Sequence, residues 1–317
     1  MTDTRYLVHG VFWDGPPPVP APGAAQPDGG QPALRLQDPA GVFTALALDA
    51  GTRLGFRLAA AGKSCLGHHK VHGPADRDHI ACPVRAAATK GSQCERCFVL
   101  DDSRLIHDFH RGGRVPVGLR AYLMQPHWLY VATFANGATK VGTASQLRKW
   151  NRLAEQGPVV ARYVARADDG RVVRLLEDLV TRDAGLPQQV RAAAKAAALV
   201  APAAAVELDA LNGRLAGKAR TLLAGAGGDG FEVLNERWER PKLSATACAP
   251  AARHAYPHDL GTGRHGFRIE SLSGSVALAA LDGSELEFVV NLGQLKARTI
   301  DLGDYGSAVP AVQEALF

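Results

Sequence analysis

The distribution of apolar and polar positions predicts strands at both ends of the chain and helices in its middle. Short runs rich in β-branched and aromatic residues, bounded by turn formers, are typical of strands. Such runs cover residues 6–13, 34–37, 42–49 and 54–58 near the N-terminus and residues 267–270, 275–280, 286–291 and 297–301 near the C-terminus. We expect the strands of the two ends to pair with each other, so that the middle of the chain is an insertion.

The middle of the chain alternates between strand patterns and helix patterns. Strands are predicted at 129–134, 138–142 and 159–167, a helix with an apolar stripe at 168–183, and Ala-rich helices at 188–200 and 203–223. The predicted fold class is therefore α+β. It combines a small antiparallel β unit formed by the N- and C-terminal strands with an inserted α/β region and Ala-rich helices.

This pattern divides the chain into five predicted segments. They are an N-terminal β unit at 1–62, a cysteine-rich segment at 63–120, a hairpin–helix unit at 121–185, a helical segment at 186–226 and a C-terminal β unit at 227–317. Within the first segment, residues 14–32 are rich in Pro and Gly, a composition that cannot build a core and indicates a surface loop.

The hairpin–helix unit is the stretch around which we expect the chemistry to be organised. Asn136-Gly137 predicts a two-residue turn between its strands. Thr143 is expected to begin the following helix, with Gln146 completing a capping box, and Gly157-Pro158 to end it. Arg148 and Arg152 would then lie four residues apart on one helical face.

A two-residue turn has a consequence for the register of this hairpin. It pairs Tyr130 with Thr143 and Lys140 with Thr133, so that Tyr130 and Lys140 point to opposite faces. Either a bulge shifts the register, or only one of these two side chains lines a site.

Composition and charge limit the classes of protein that fit the sequence. The 317 residues are 46% hydrophobic, which is ordinary for a globular protein, and no apolar run is long enough to cross a membrane. The first ten residues lack the features of a secretory signal, so a cytoplasmic location is expected. The net charge of +5 permits an anionic partner without requiring one. The sequence leaves the oligomeric state open.

Four of the five cysteines fall within a short segment and predict a metal site. Cys65, Cys82, Cys94 and Cys97 end in a CxxC pair, and four thiolates around one ion fit structural zinc. His69 or His79 could replace Cys65 or Cys82 in the ligand set. Cys248 lies far away in sequence and is expected to be a buried, inert thiol.

The hairpin–helix unit resembles the GIY-YIG superfamily of nucleases. The resemblance rests on Leu-Tyr-Val at 129–131, Lys-Val-Gly at 140–142, the two arginines of the next helix and Glu177 on a later one. The whole chain is more similar to an uncharacterised domain-of-unknown-function family. That family joins a cysteine cluster (here 79–83 and 93–97) to such a unit (here 140–142 and 155–157).

The resemblance implies a role for each matching side chain. Tyr130 would help to activate water, Arg148 or Arg152 would stabilise the phosphate, and Glu177 would hold a catalytic divalent cation, Mg or Mn. Lys140 replaces the second tyrosine of the superfamily and would stabilise charge, or act as a base if desolvated. These groups together suit phosphodiester cleavage, which needs an activated nucleophile, a cation over the developing charge and a Lewis acid.

The expected function is therefore that of a zinc-containing GIY-YIG-like protein acting on nucleic acid or nucleotide phosphodiesters, with metal-dependent cleavage as its enzymatic form. Two alternatives stay open. The protein could be a non-catalytic nucleic-acid-binding or scaffold protein, or the fold could serve a biosynthetic enzyme that acts on a nucleoside-like metabolite. At the level of single residues, Tyr130 could instead be a half-buried strand residue, and Glu177 could pair with Arg174 at i−3.

Overall fold

A computed structural model describes residues 4–14, 30–107 and 109–309. The predicted surface loop at 14–32 lies mostly outside the described residues. The first half of the chain forms β1 (Thr4–Trp13), β2 (Pro32–Gln37), β3 (Phe43–Ala47), β4 (Arg53–Leu58), β5 (His68–Val71), β6 (Arg77–Ile80), α1 (Glu95–Leu100), α2 (Val117–Leu123), β7 (His127–Thr133) and β8 (Thr139–Ser145).

The second half contains the longer helices and then returns to strands. It forms α3 (Lys149–Gln156), β9 (Val160–Ala167), α4 (Gly170–Ala184), α5 (Ala192–Ala198), α6 (Ala205–Ala226), β10 (Phe231–Arg237), β11 (His254–Ala255), β12 (Arg264–Ser273), β13 (Val276–Ala280), β14 (Glu287–Asn291) and β15 (Thr299–Leu302). The predicted α+β class is confirmed. Across the described residues, no helix combines the length and the apolar composition that crossing a membrane requires.

Strands from both ends of the chain meet in one sheet. Among the described residues this sheet has nine strands in the order β11-β14-β13-β12-β4-β15-β1-β2-β3. The C-terminal β15 lies between β4 and β1 and is antiparallel to both. The inward side chains of the sheet, including Phe56 and Phe267, join one large apolar core with residues of the middle of the chain.

A second, antiparallel sheet has the order β10-β9-β7-β8. One face, with Tyr130 and Tyr163, packs into the core shared with the large sheet. The other face, with Leu129 and Val131, packs against α4 and α6. The central strands β7 and β9 are therefore buried on both sides, which fits the nearly continuous apolar pattern of β7. The strand β10 was not predicted from the sequence.

The predicted start of the helix at Thr143 is wrong. β8 continues to Ser145, because each of its residues pairs with β7 as far as the Ser145–His127 pair. A short 3-10 turn at 146–148 then leads into α3. The predicted capping box is therefore absent, since Thr143 still belongs to the strand. The end of the helix was predicted correctly, as Gly157 adopts the left-handed conformation with φ +68°.

The predicted two-residue turn is also wrong, and the difference decides which side chains share a face. The Gly137 N–H donates to the Phe134 carbonyl, and Gly137, at φ +82°, is an additional bulge residue before β8. The register moves by one residue, so that Tyr130 pairs with Gly142 and Ala132 with Lys140. Tyr130 and Lys140 consequently point to the same face of the hairpin.

Candidate functional site

The four clustered cysteines meet in space although they come from separate parts of the segment. Their Sγ atoms all lie within 4.8 Å of one another, and Cys65, Cys82 and Cys97 are buried. A tetrahedral zinc site with Zn–S bonds of about 2.3 Å needs S–S separations of about 3.8 Å, so small adjustments suffice to close the cluster on an ion. The cluster can therefore hold a metal ion such as zinc.

The surroundings of the thiols also suit a metal site. The Gly67 N–H donates to Cys65 Sγ at 3.3 Å, as is common for metal thiolates. The backbone N–H of Cys97 lowers the pKa of Cys94 to about 7, whereas burial raises the pKa of Cys65 and of Cys97. A bound cation would offset the cost of holding several thiolates together, because metal ligation deprotonates them.

His69 and His79, the two alternative ligands, have other partners. His79 Nε2 bonds the Leu66 carbonyl, and His69 Nδ1 lies 3.8 Å from Asp101. Within the described residues, the four cysteines are the one group placed to hold a metal ion. The geometry therefore favours the four-cysteine set over the alternatives with His69 or His79. Cys248 is buried elsewhere, 3.6 Å from Ser273 Oγ.

The cysteine segment was expected to be loop-like, but it contains the hairpin β5–β6. Cys65 precedes β5 by three residues and Cys82 follows β6 by two, so the cysteine cluster lies at the base of this hairpin. Asp102, just beyond α1, accepts hydrogen bonds from the Val71 N–H at 3.0 Å and from Lys70 Nζ at 3.0 Å. The hairpin is thus attached to the cluster at its base and to the end of α1 along β5.

Tyr130 and Lys140, both singled out by the resemblance, lie close together on β7 and β8. Lys140 Nζ lies 5.6 Å from the centre of the Tyr130 ring. The ring crosses directly over Gly142, where an added Cβ would lie 2.6 Å from both Cζ and Oη of Tyr130. Only glycine leaves room for the ring in this position, which explains the glycine of the Lys-Val-Gly sequence.

The buried setting changes the acid–base properties of both groups. Burial raises the pKa of Tyr130, while the nearby Arg152 lowers it in part. The Tyr130 hydroxyl is completely buried and has no hydrogen-bond partner of normal geometry among the described residues. Burial, with Arg152 as the next cause, lowers the pKa of Lys140 to about 8. Lys140 thus stays mostly protonated at neutral pH, and the Tyr130 phenol stays neutral.

Four arginines line one cavity of about 310 Å³ beside this pair. Arg77 comes from β6, Arg148 from the 3-10 turn, Arg152 from α3 and Arg174 from α4. Side chains of β8, including Thr143 and Ser145, complete one wall. We call this cavity the arginine pocket.

The arginine pocket keeps an excess of positive charge. Arg148 pairs with Glu155, and Arg174 pairs with Glu177. Arg77 and Arg152, in contrast, make no ion pair with any carboxylate of the described residues. Burial and the neighbouring Arg148 lower the pKa of Arg77, as expected for cations that face each other. Such a pocket favours an anion that accepts several charged hydrogen bonds.

A further lysine adds to this charge from the next helix. Lys195 of α5 donates to Gln156 Oε1 at 2.6 Å and lies 4.4 Å from the centre of the Phe134 ring. Burial lowers its pKa to about 7, with Lys140 and Arg152 as the next causes. These cations therefore influence one another across one region of the protein, on the side of the hairpin that carries Lys140.

Glu177 pairs with Arg174, as the alternative interpretation of the sequence suggested. Its carboxylate is only 3% exposed and is hydrogen-bonded to Arg174 at i−3. It is also close enough to raise the pKa of both Tyr130 and Lys140. Glu177 thus belongs to the same charge cluster, but an arginine occupies the position that a divalent cation would need.

The structure brings the predicted side chains together and adds others. Arg148 and Arg152 line the arginine pocket, and Tyr130, Lys140 and Glu177 lie close enough to Arg152 or to each other to interact electrostatically. Sequence reasoning missed Arg77, Arg174 and Lys195 as parts of this region. Arg174 was named only as a possible partner of Glu177. Arg77 could not be found from spacing, because the fold of the cysteine segment brings it to the pocket.

Comparison with known proteins gives no match: no family model, no curated protein and no solved structure is significantly similar to this chain.

Proposed function

We propose that this zinc-containing protein binds a phosphodiester of nucleic acid, or of a nucleotide, in the arginine pocket. The observation that carries the proposal is the convergence of four arginines on one cavity, two of them without a carboxylate partner in the described residues. A planar guanidinium group can donate two parallel hydrogen bonds to two phosphate oxygens, so the two arginines without a carboxylate partner are suited to bind a phosphate.

The hairpin gives this proposal further support. It is followed by a helix whose Arg152 has no carboxylate partner among the described residues and then by a helix with a buried glutamate, which is the order that the GIY-YIG resemblance implies. Lys140, which is buried, and Lys195 add positive charge to the same region. Their charges favour an anion in the neighbouring pocket, where the phosphate is proposed to lie.

Replacing Arg152 by alanine is expected to weaken binding of labelled DNA or RNA oligonucleotides about tenfold, the size of a lost charged hydrogen bond. It should also reduce the slope of log affinity against log salt by about one, because one phosphate contact is lost. Fluorescence anisotropy across a salt series measures both quantities.

Arg214→Ala is the matched control for this experiment. Arg214 is an exposed arginine on α6 that does not line the pocket, so the same change of net charge should leave affinity and slope nearly unaltered. If both variants weaken binding equally, the attraction is a property of the whole surface. If wild-type protein binds no oligonucleotide at low salt, the proposed function is refuted.

Metal-dependent cleavage is a second candidate, and one observation favours it. Tyr130 and Lys140 share a face, and Arg152 and Glu177 both act on their pKa values, so the groups that the resemblance implies for phosphodiester cleavage are neighbours. Cleavage would require Glu177 to exchange Arg174 for Mg or Mn, and Tyr130 to become accessible. Binding alone requires neither change, so we rank it first.

The variant Glu177→Gln separates the two candidates. Under binding alone it frees Arg174, and affinity for an oligonucleotide should rise by about 0.5–1 kcal/mol, because the partly exposed Arg174 loses its carboxylate partner. Under cleavage it should abolish product formation from labelled DNA or RNA in Mg or Mn. Asp178→Asn changes the same charge on the adjacent residue of α4 and should do neither.

A further inference from the structure

A second cavity, of about 220 Å³, adjoins the arginine pocket. We call it the side cavity. It shares Arg77, Ser103, Ile106, Tyr122 and Arg148 with the arginine pocket, so the two are parts of one groove. Its other walls are Leu147 and residues of the β5–β6 hairpin, including the tip at 73–76. The groove therefore has a cationic end and a mainly apolar end.

Apolar side chains at this second end are left uncovered. Leu147 is 56% exposed although it stands beside Arg148 in the 3-10 turn, and Ala75 at the tip of the hairpin is exposed as well. Tyr122 is fixed at the junction of the two cavities, where its hydroxyl donates to Ser145 Oγ at 3.2 Å. A flat aromatic group would cover these side chains and could stack on Tyr122 or on the Arg148 guanidinium.

Besides Arg77 and Arg148, which it shares with the arginine pocket, the side cavity contains a carboxylate. Asp76 lines the cavity, and its carboxylate makes no hydrogen bond or ion pair with other described residues. A free carboxylate repels a phosphate but accepts hydrogen bonds from the N–H groups on the edge of a base. Ser103 offers a hydroxyl that can donate or accept. The two ends of the groove are thus complementary to the two ends of one nucleotide.

We propose that the side cavity holds the base of an unpaired nucleotide whose phosphate lies in the arginine pocket, so that the protein selects single strands or free nucleotides over duplexes. This inference rests on the proposed function, since it needs the phosphate in the arginine pocket. A paired base is stacked on both faces and bonded along its edge, so it must be flipped out before it can enter a cavity. An unpaired base avoids that cost.

Competition against a labelled single-stranded oligonucleotide tests the selection. The unlabelled single strand should compete at least tenfold better than the duplex of the same sequence, because flipping is costly, and roughly tenfold better than a single strand with abasic sites. Inorganic phosphate should compete weakly and through the arginine pocket alone.

Two variants test the location of the base. Ala75→Trp should fill the side cavity, and Leu147→Ala should remove one wall; each should weaken single-strand binding several-fold while leaving competition by inorganic phosphate unchanged. Leu175→Ala is the matched control, because Leu175 is similarly exposed at 51% on α4 but lines neither cavity. Thermal melting checks that each variant is folded.

The outcomes distinguish this inference from the proposal beneath it. If single strand, duplex and abasic strand compete equally, and both variants bind normally while Arg152→Ala binds weakly, the base subsite is refuted and the phosphate site stands. If Arg152→Ala has no effect, the proposed function itself fails. Preference for duplex would also refute the inference.

Discussion

Replacing Cys97 by serine is expected to remove the bound metal and lower the melting temperature by roughly 5–10 °C. The free energy of metal binding contributes to folding wherever the ligands meet only in the folded chain. Here Cys65, Cys82 and the CxxC pair come from separate turns and meet only in the folded chain. Elemental analysis of the purified protein and a thermal melt measure the two effects.

The same variant should also weaken phosphodiester binding. The cysteine cluster lies at the base of the β5–β6 hairpin, and Arg77 on that hairpin lines the arginine pocket. Without the metal, the base of the hairpin is free to open, and Arg77 and the tip at 73–76 lose their positions. Incubation of the wild-type protein with a zinc chelator should reproduce both the lower melting temperature and the weaker binding.

Cys248→Ala provides the control for the loss of a thiol. Cys248 is buried in a separate apolar cluster, away from the other four cysteines, so metal content and binding should stay at wild-type values. A wild-type protein that contains no stoichiometric metal, or a Cys97→Ser variant that melts and binds normally, would show that the cluster does not stabilise the pocket.

The cysteine ligands could be predicted from sequence because a CxxC pair with two further cysteines nearby is typical of a zinc site. The hairpin between Cys65 and Cys82 could not. β5 and β6 are four residues each, and their histidines and charged residues give no alternation of apolar and polar positions. Such short strands form because the cluster and the Asp102 carboxylate hold them, which is tertiary information.

The register of the β7–β8 hairpin shows a second limit. Asn136-Gly137 is correctly identified as the turn, but the same dipeptide fits a two-residue turn and a turn followed by a glycine bulge. The choice moves every pair by one residue and decides whether Tyr130 and Lys140 share a face. The sequence alone left both registers open. The fold selects one of them, because the buried Tyr130 ring requires Gly142 opposite it.

Two of the four arginines in the pocket could be predicted from the sequence. Arg148 and Arg152 are neighbours in sequence, and helical spacing relates them even though Arg148 lies just before α3. Arg77 and Arg174 reach the pocket from a different sheet and from a different helix. Long-range pairs of this kind leave no periodic signal in one sequence. The positions of the charged residues along the chain therefore could not predict the whole site.

Replacing Gly142 by alanine is expected to destabilise the protein by about 2–3 kcal/mol, since a buried ring must move to admit the new methyl group. The added Cβ would lie 2.6 Å from Cζ and Oη of Tyr130, and the ring has no exposed surface through which to escape. Chemical denaturation followed by circular dichroism measures the change. Phosphodiester binding should weaken as well, because Lys140 rests near the displaced ring and shares its surroundings with Arg152.

Two comparisons separate this steric effect from the general cost of changing a glycine. Gly225→Ala lies in α6 with no atom within 4 Å of the added Cβ, and it should be neutral or stabilising by up to about 1 kcal/mol. In a Tyr130→Leu background, the Gly142→Ala change should cost at least about 1 kcal/mol less than in wild type, because the two positions are in contact. Equal costs in both backgrounds would mean that Tyr130 does not lie over Gly142. Support for the shared face of Tyr130 and Lys140, on which the cleavage candidate depends, would then be lost. Support for the arginine pocket would not be affected.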